Sequence, residues 1–257
     1  MRFATLISLI ALVPSLGLAA GETPAVNLAA VATPSSSYVS GDTSPGALND
    51  GVAPRNSRDN RRGSYGNWPR QGTQWVEYDW SQPVSTKQIE VYWWDDHRGV
   101  RLPKACRVKF WNGSDFVEVK NVGGFGVAAD RFNVTTFDEV TTTKLRLEMD
   151  GSENFSTGIL EWRVLDSGNS PEFPPRVNAG VDRDVVLDGK TYLSGAVKFL
   201  KPETAAQIAW RKDSGPGEVT FADAHTNVTT ATFSVLRDYV LKLTAGEGGL
   251  AGSSTLR

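Results

Sequence analysis

Gln88-Ile-Glu-Val-Tyr-Trp-Trp94 alternates apolar and polar side chains with a period of two. This period indicates a half-buried β-strand, because successive side chains of a strand point to opposite faces. Four further stretches share the pattern: Trp75-Val-Glu-Tyr-Asp-Trp80, Cys106-Arg-Val-Lys-Phe-Trp111, Lys144-Leu-Arg-Leu-Glu-Met149 and Ile159-Leu-Glu-Trp-Arg-Val164. Asn112-Gly113 marks a hairpin turn, and no long stretch has a helical period. The sequence therefore predicts an all-β protein, built as an antiparallel sandwich or jelly roll.

Composition divides the chain into two modules. Asp166–Pro175 is rich in Gly, Ser and Pro, and we place a linker at 168–174 between modules at 25–167 and 175–257. A second set of short strand-like stretches follows this linker. Seven of the eight tryptophans precede the linker, and only Trp210 follows it. The two modules are therefore expected to have different cores.

The N-terminus has the features of an export signal. Arg2 is followed by an apolar run from Phe3 to Leu18 and by small residues, which predicts a signal peptide at 1–20. The expected location is secreted, periplasmic or at the cell surface, with no membrane insertion. A net charge of −2 argues against nucleic acid as a partner.

Cys106 is the only cysteine, so an intrachain disulfide is impossible. It alternates with Val108 and Phe110, which places all three on one strand face. We expect a buried core thiol, and a catalytic thiol is the alternative.

Four ordered segments of the first module resemble the discoidin family. They are Ala47-Leu-Asn-Asp-Gly51, Gly72-Thr-Gln-Trp-Val-Glu-Tyr-Asp79, Leu102-Pro-Lys-Ala-Cys-Arg-Val108 and Gly158-Ile-Leu-Glu-Trp162. That family includes coagulation factor V/VIII type C domains and family 32 carbohydrate-binding modules. Val91-Tyr-Trp-Trp-Asp-Asp96 is especially similar to modules of bacterial secreted glycoside hydrolases, including β-L-arabinofuranosidase-like enzymes. The resemblance implies an eight-stranded discoidin-like jelly roll with its ligand loops at one end.

The same resemblance implies a structural calcium site. The matching positions are the carboxylates of Asp50 and Glu161, with Ala47 as a backbone carbonyl donor. Calcium prefers six to eight oxygen ligands, which carbonyls and carboxylates supply. The alternative is that Asp50 only shapes a turn and Glu161 is a surface strand residue.

Three loops carry the chemistry that binds sugars, namely aromatic faces beside planar polar groups. They are Arg55–Arg70, Asp95–Arg101 and Asp150–Thr157, and the resemblance places their equivalents at the binding end. His97 and Arg98 are the candidate hydroxyl donors. The full set of candidate ligand-binding residues is Tyr65, Trp68, Asp96, His97, Arg98, Arg101, Asn154 and Phe155, in which Tyr65, Trp68 and Phe155 are the stacking candidates.

Each candidate has a structural alternative. Trp68 precedes Pro69 and could plug the end of the barrel, and His97 could serve only to bond neighbouring carboxylates. The arginines from Arg55 to Arg70 are either a solvated face or a cationic patch for uronic acids or sulfated glycans.

An enzymatic function is not expected. Asp95 and Asp96 are adjacent, so a regular strand would point them to opposite faces, whereas a glycosidase needs two carboxylates across a cleft. The two histidines, His97 and His225, fall in different modules, and no zinc-type spacing, phosphate loop or nucleophile elbow is found.

The second module resembles the PKD and related Ig-like domains. The resemblance lies in Phe173-Pro-Pro-Arg-Val-Asn-Ala-Gly180, Tyr192-Leu-Ser-Gly-Ala-Val197, Trp210-Arg-Lys-Asp-Ser-Gly-Pro-Gly217 and Thr229-Thr-Ala-Thr-Phe-Ser234. It implies an Ig-like β-sandwich around Trp210 that serves as a spacer without an active site. The stretch before Arg257 gives a final strand little length, so a truncated module is one interpretation.

The leading hypothesis is a non-catalytic, secreted accessory module that binds a glycan or polysaccharide and tethers a protein or enzyme to it. A second hypothesis is an adhesion or scaffold module that binds another protein. A third is the separated C-terminal fragment of a secreted glycoside hydrolase, whose catalytic domain is missing from this chain.

Overall fold

The computed structural model describes residues 25–152, 154–186, 189–200, 207–247 and 249–257. The predicted signal peptide lies outside these ranges. Strands dominate the described chain, and its only helices are two short 3-10 turns, Leu28–Val31 and Pro45–Asn49. None of the helices in the described ranges is long and apolar enough to span a membrane. The all-β prediction is confirmed.

Within the described residues the first module has seven strands, which contain the five predicted stretches apart from Trp94. They are β1 (Thr33–Ser36), β2 (Tyr65–Gly66), β3 (Thr73–Trp93), β4 (Ala105–Trp111), β5 (Phe116–Glu118), β6 (Phe132–Asp150) and β7 (Gly158–Asp166). The predicted hairpin at Asn112-Gly113 joins β4 to β5, which pair antiparallel. Two of the predicted stretches, at 75–80 and 88–94, belong to one continuous 21-residue strand, except for Trp94, which follows it.

One hydrogen-bonded sheet forms both layers of this module. Its strand order is β2-β7-β3-β6-β4-β5, and β1 pairs with the first half of β3. The pairing of β3 with β6 shifts register between Asp79 and Val84, so both long strands pass from one layer into the other. The two layers then face each other across the core. Tyr78 stacks on Trp162 of the opposite layer with ring centroids 4.2 Å apart.

Apolar residues on the inner faces of the strands fill the core. Ile89, Val91 and Trp93 of the opening stretch are all at most 2 % exposed, as their alternation predicts. Cys106 is 8 % exposed and belongs to the same cluster, so the predicted core thiol is confirmed. Trp94 is also buried, but it lies in a separate small cluster under the loops.

The predicted linker is bound to the first module. Ser85 donates its backbone N–H to Ser170 Oγ at 2.9 Å, and Gln82 Nε2 donates to the Glu172 carbonyl at 2.7 Å. Phe173 is 6 % exposed and is part of the first module's core. Composition predicted a linker here, and the structure shows that hydrogen bonds and one buried aromatic side chain hold the segment against the sheet.

The described residues of the second module form eight strands. They are β8 (Arg176–Asn178), β9 (Thr191–Ser194), β10 (Ala196–Lys198), β11 (Gln207–Ser214), β12 (Val219–Phe221), β13 (Val228–Phe233), β14 (Val240–Glu247) and β15 (Leu250–Leu256). They form sheets in the orders β11-β14-β15, β12-β13-β9 and β10-β8. Trp210 is 3 % exposed and packs with Leu193, Leu241 and Leu243, which confirms it as a core residue.

Candidate functional site

The three predicted ligand loops meet at one end of the first module. The side chain of Asn67 donates to Thr157 Oγ1 at 2.7 Å and accepts from the Thr157 N–H at 2.9 Å. Ser156 donates its N–H to the Gly99 carbonyl and accepts from the Arg101 N–H. Each of the three loops is therefore bonded to another of them by backbone or buried side-chain groups.

A small apolar cluster forms the floor beneath these loops. Trp94 packs there with Tyr92, Val100 and Leu160. A β-carbon added at Gly66 or Gly158 would lie 2.7 Å from a ring carbon of Trp94, so both positions require glycine for the indole to fit. The close packing holds the loop bases in place.

Trp68 provides an exposed aromatic face at this end. Its side chain is 57 % exposed, and its carbonyl accepts a hydrogen bond from Ser40 Oγ at 2.9 Å. The indole lies over Gly99, where an added β-carbon would be 2.8 Å from Trp68 Cδ1. This exposure contradicts the alternative that Trp68 plugs the barrel end, and it leaves a ring face open to solvent.

His97 is held by a network with Arg101 and Asp95. Arg101 Nη1 lies 2.6 Å from His97 Nδ1, Arg101 Nη2 donates to the His97 carbonyl at 2.8 Å, and the His97 N–H donates to Asp95 Oδ1 at 2.8 Å. His97 Nδ1 also lies 3.0 Å from Asp95 Oδ1, so this nitrogen faces both a guanidinium and a carboxylate within the loop. The other ring nitrogen, Nε2, has no hydrogen bond to the described residues and lies on a half-exposed ring.

His97 also has a positive φ of 57°, which is uncommon for a non-glycine residue. The three bonds above hold the backbone in this conformation. The alternative that His97 only bonds its neighbours is met by its Nδ1 atom. Its Nε2 atom takes no part in those contacts.

Phe155 and Arg101 extend the same surface. The Arg101 guanidinium lies 5.1 Å from the centroid of the half-buried Phe155 ring. Arg98 and Asn154 are exposed, and within the described residues neither side chain has a hydrogen bond or ion pair. Both side chains are therefore available to a ligand.

Two predicted ligand residues, Tyr65 and Asp96, have structural roles. Tyr65 is fully buried and donates its hydroxyl to the Tyr38 carbonyl at 2.9 Å, and burial raises its pKa to about 12. The prediction of Tyr65 as a stacking residue is wrong, because its ring faces the core. Asp96 Oδ1 accepts the N–H groups of Arg98 and Val100, so this carboxylate oxygen shapes the loop.

Sequence reasoning missed Gly99 and Asp95 as parts of this site. Gly99 supports the indole of Trp68, and Asp95 holds both His97 and Arg101. A glycine within a loop rich in charged residues was the available signal for Gly99. Nothing in the sequence separates the role of Asp95 from that of Asp96.

The predicted calcium ligands also lie close together. Asp50 ends the 3-10 turn that contains Ala47, and Tyr78 joins this turn to β7 by donating to the carbonyls of Leu48 and Trp162. Glu161 is fully buried, which excludes the alternative of a surface strand residue.

The buried Glu161 carboxyl is incompletely satisfied. Its Oε2 accepts the Gly51 N–H at 3.2 Å, but its Oε1 has no hydrogen-bond partner. Burial, followed by the nearby charge of Asp50, raises the pKa of Glu161 to about 8. Two carboxylates and a turn of backbone carbonyls fit a hard cation, which would satisfy the free oxygen. No cluster of three or more His, Cys, Asp or Glu side chains that could hold a metal occurs in the described ranges, so carbonyls would have to complete such a site.

A cation from the second module reaches the same turn. Lys198 Nζ donates to the Asn49 carbonyl at 2.6 Å. Burial and then the charge of Arg176 lower the pKa of Lys198, while Glu161 and Asp50 act in the opposite direction. The attraction of the two carboxylates for this ammonium is therefore outweighed by burial and by Arg176, and the hydrogen bond to Asn49 is what ties Lys198 to the turn.

No family model matches the chain. A structure described as a Streptococcus pneumoniae β-galactosidase is 17 % identical, has a TM-score of 0.48, and is matched over 58 % of this chain and 96 % of its own. A chitosan-binding module of a chitosanase/glucanase from Paenibacillus sp. IK-5 is 12 % identical with a TM-score of 0.42, over 54 % of this chain and 97 % of its own.

A putative α-L-fucosidase from Bacteroides thetaiotaomicron is 13 % identical with a TM-score of 0.43, over 56 % of this chain. There the chain spans 29 % of the other protein's length. Carbohydrate-binding modules and glycoside hydrolases are thus among the solved structures similar to a little over half of this chain.

Proposed function

We propose that the first module is a non-catalytic carbohydrate-binding module of the discoidin type, with its site at the joined loop end. The observation that carries this proposal is the exposed indole of Trp68, fixed over Gly99 beside the network of His97 and Arg101. An open aromatic face next to oriented donors is the chemistry that recognises a pyranose ring.

The residues divide the recognition between them. The Trp68 ring packs against the C–H face of a sugar, and Phe155 contributes further apolar surface. The His97 Nε2 atom and the free Arg98 guanidinium bind hydroxyl groups, and the Asn154 amide can donate and accept. Fixed side chains lose little conformational entropy when a ligand binds, which favours affinity.

A glycan array followed by calorimetry tests this function. The Trp68→Ala protein should lose at least about tenfold in affinity for any glycan that the wild type binds, because stacking and apolar burial are lost. The matched control is Tyr192→Ala, which removes a 74 % exposed aromatic from the second module. A silent array would favour the scaffold hypothesis, and equal losses in the two variants would contradict this site.

The accessory role is part of the proposal. A secreted chain with one sugar-binding module and a PKD-like or Ig-like spacer would tether a protein or an enzyme to polysaccharide. The core position of Trp210 between two sheets supports such a spacer. The test is adsorption of the intact chain to the insoluble form of its polysaccharide, with Trp68→Ala as the variant expected to stay in solution.

We also propose that Asp50, Glu161 and the carbonyl of Ala47 hold a structural calcium ion. The partnerless Glu161 Oε1 supports this assignment. A bound Ca²⁺ would neutralise the two carboxylates and brace the turn against β7. Thermal unfolding should shift upward with calcium and downward with a chelator, and Glu161→Gln should abolish both shifts. An identical melting temperature in calcium and in chelator would contradict the proposed calcium site.

A further inference from the structure

A cluster of arginines near the proposed sugar site has no role in the function described above. Arg55, Arg58 and Arg61 line a shallow open cleft of about 360 Å³, together with Asn56 and Asp59. Three guanidinium groups face one carboxylate there, so the lining carries a net positive charge.

This cleft is built on an anchored loop. Ser57 is 3 % exposed, its N–H donates to Asp130 Oδ1 at 2.7 Å, and its Oγ accepts the Asp130 N–H at 2.9 Å. Asn56 Oδ1 accepts the Arg58 N–H, and Asp59 Oδ2 accepts the Arg55 N–H. The backbone that carries the arginines is therefore held by buried and side-chain bonds.

The charges in the cleft are unevenly satisfied. Arg61 binds Asp59 through two hydrogen bonds of 2.5 and 2.7 Å, and this contact holds the pKa of Asp59 well below its usual range. The side chains of Arg55 and Arg58 have no hydrogen bond or ion pair within the described residues. The guanidinium groups of Arg55 and Arg58 are therefore free among the described side chains, whereas the charges of Arg61 and Asp59 neutralise each other.

The cleft adjoins the loop that carries His97. The Ser57 carbonyl accepts the Asp95 N–H at 2.9 Å, and Asp95 in turn accepts from the His97 N–H. One hydrogen bond therefore joins the anchor of the arginine loop to the anchor of the donor network. A ligand longer than one sugar unit could contact both.

We propose that this cleft is an anion subsite, which binds the carboxylate or sulfate group of an acidic polysaccharide. Arg55 and Arg58 would hold that group on a unit near the one that stacks on Trp68, and this inference rests on the proposed sugar-binding function. A guanidinium presents paired N–H donors that match the oxygens of a carboxylate or a sulfate, which a hydroxyl of a neutral sugar does not.

Calorimetry with paired polymers tests the inference. Polygalacturonate and its methyl ester share a backbone and differ in charge, and dextran sulfate and dextran form the corresponding sulfate pair. The wild type should bind the charged member of one pair more tightly, with an advantage that shrinks as salt is added. The pair that shows the difference identifies the anion.

The variants are Arg55→Ala/Arg58→Ala and, as a matched control, Arg62→Ala, which removes an exposed arginine of the same loop outside the cleft. The double variant should bind the charged polymer roughly tenfold more weakly, since one exposed ion pair contributes up to about fivefold. Its affinity for a neutral glycan should stay within about twofold of the wild type.

Equal losses in the double variant and in Arg62→Ala would overturn the subsite, as would a wild type that does not distinguish the members of either pair. If neutral glycans still bind in that case, the proposed function stands without the anion subsite. If charged polymers bind and only the arginine variants lose affinity while Trp68→Ala does not, the subsite stands and the stacking site fails.

Discussion

The indole of Trp68 rests directly on the backbone of Gly99. A β-carbon at position 99 would lie 2.8 Å from Trp68 Cδ1, which is closer than such atoms approach, and 3.2 Å from Nε1. The contact joins the first loop to the second, and it sets the height and tilt at which the exposed ring is presented. Recognition by stacking depends on that orientation.

Gly99→Ala should therefore weaken glycan binding without unfolding the protein. The added methyl group must displace the ring, and an exposed side chain can move at little cost to stability. We expect a loss of about fivefold or more in affinity with little change in melting temperature. Gly41→Ala is the control, because nothing lies within 4 Å of its added β-carbon. Wild-type affinity in Gly99→Ala would show that ring position does not matter.

Substitutions of His97 separate its backbone role from its side-chain role. His97→Gly relieves the positive φ of 57° and His97→Ala does not, so the alanine variant should be less stable by about 1 kcal/mol. Both variants lack the Nε2 atom and should lose glycan affinity to a similar extent. Calorimetry and thermal unfolding measure the two effects, and full affinity in His97→Gly would restrict His97 to a backbone role.

The stability of the calcium-free protein should fall as pH rises. The folded-state pKa of Glu161 is about 8 against an ordinary value of 4.5, so the folded state holds a proton that the unfolded state releases between these values. The free energy of unfolding should then decline by up to about 1.4 kcal/mol per pH unit from pH 4.5 to 8. Denaturant titrations in chelator measure this slope.

Two changes should remove that pH dependence. The proposed calcium ion would need the ionised carboxylate and would lower its pKa, so saturating calcium should flatten the slope. Glu161→Gln removes the titrating group and should flatten it without calcium. A slope that persists in Glu161→Gln would assign the effect to another group.

Cys106 should not react with thiol reagents in the native protein. Burial raises its pKa to about 12, with Arg107 opposing and Asp150 adding to the shift, so thiolate is scarce at pH 8. Labelling should be slow in buffer and complete within minutes in denaturant. Ser35→Cys, at an exposed position on β1, provides the positive control for the reagent. Fast native labelling of Cys106 would mean that this face opens readily.

Phe173→Ala should destabilise the first module although it lies in the predicted linker. The ring is 6 % exposed within that module's core, and its loss should cost about 3 kcal/mol. Tryptophan fluorescence reports this unfolding, because seven of the eight tryptophans precede the linker. Phe125→Ala, at a 38 % exposed position, should change stability by less than about 1 kcal/mol. Similar effects in both variants would argue against docking of the segment.

Strands and their buried faces could be predicted from the sequence, because alternation directly records which side faces the core. Ile89, Val91 and Trp93 show this most clearly. The passage of β3 between two layers could not be predicted, since it depends on a register shift at Asp79 rather than on a local pattern. Phe173 was the only residue of the predicted linker whose apolar side chain indicated docking. The Gly, Ser and Pro content of the segment favoured a linker more strongly.

The site was predictable at the level of loops and less so at the level of residues. Trp68, His97 and Phe155 come together at one end of the module, because hydrogen bonds join the three loops that carry them. Tyr65 does not, since its two-residue strand β2 pairs with β7 and turns its ring inward. Which member of a loop faces solvent is decided by contacts distant in sequence, such as that of Trp68 with Gly99.

The burial of Phe173 changes how a pull would pass along the chain. With that ring held in the first module, only Pro174 and the buried Pro175, whose rings fix φ, separate it from β8, and Lys198 bonds the second module directly to the Asn49 carbonyl of the first. A force applied to the second module would then act directly on the first module's sheet at Phe173, because no flexible chain between them would extend first. The connection would behave as a short, stiff joint, and the loop end of the first module would stay at a nearly constant distance from the second module.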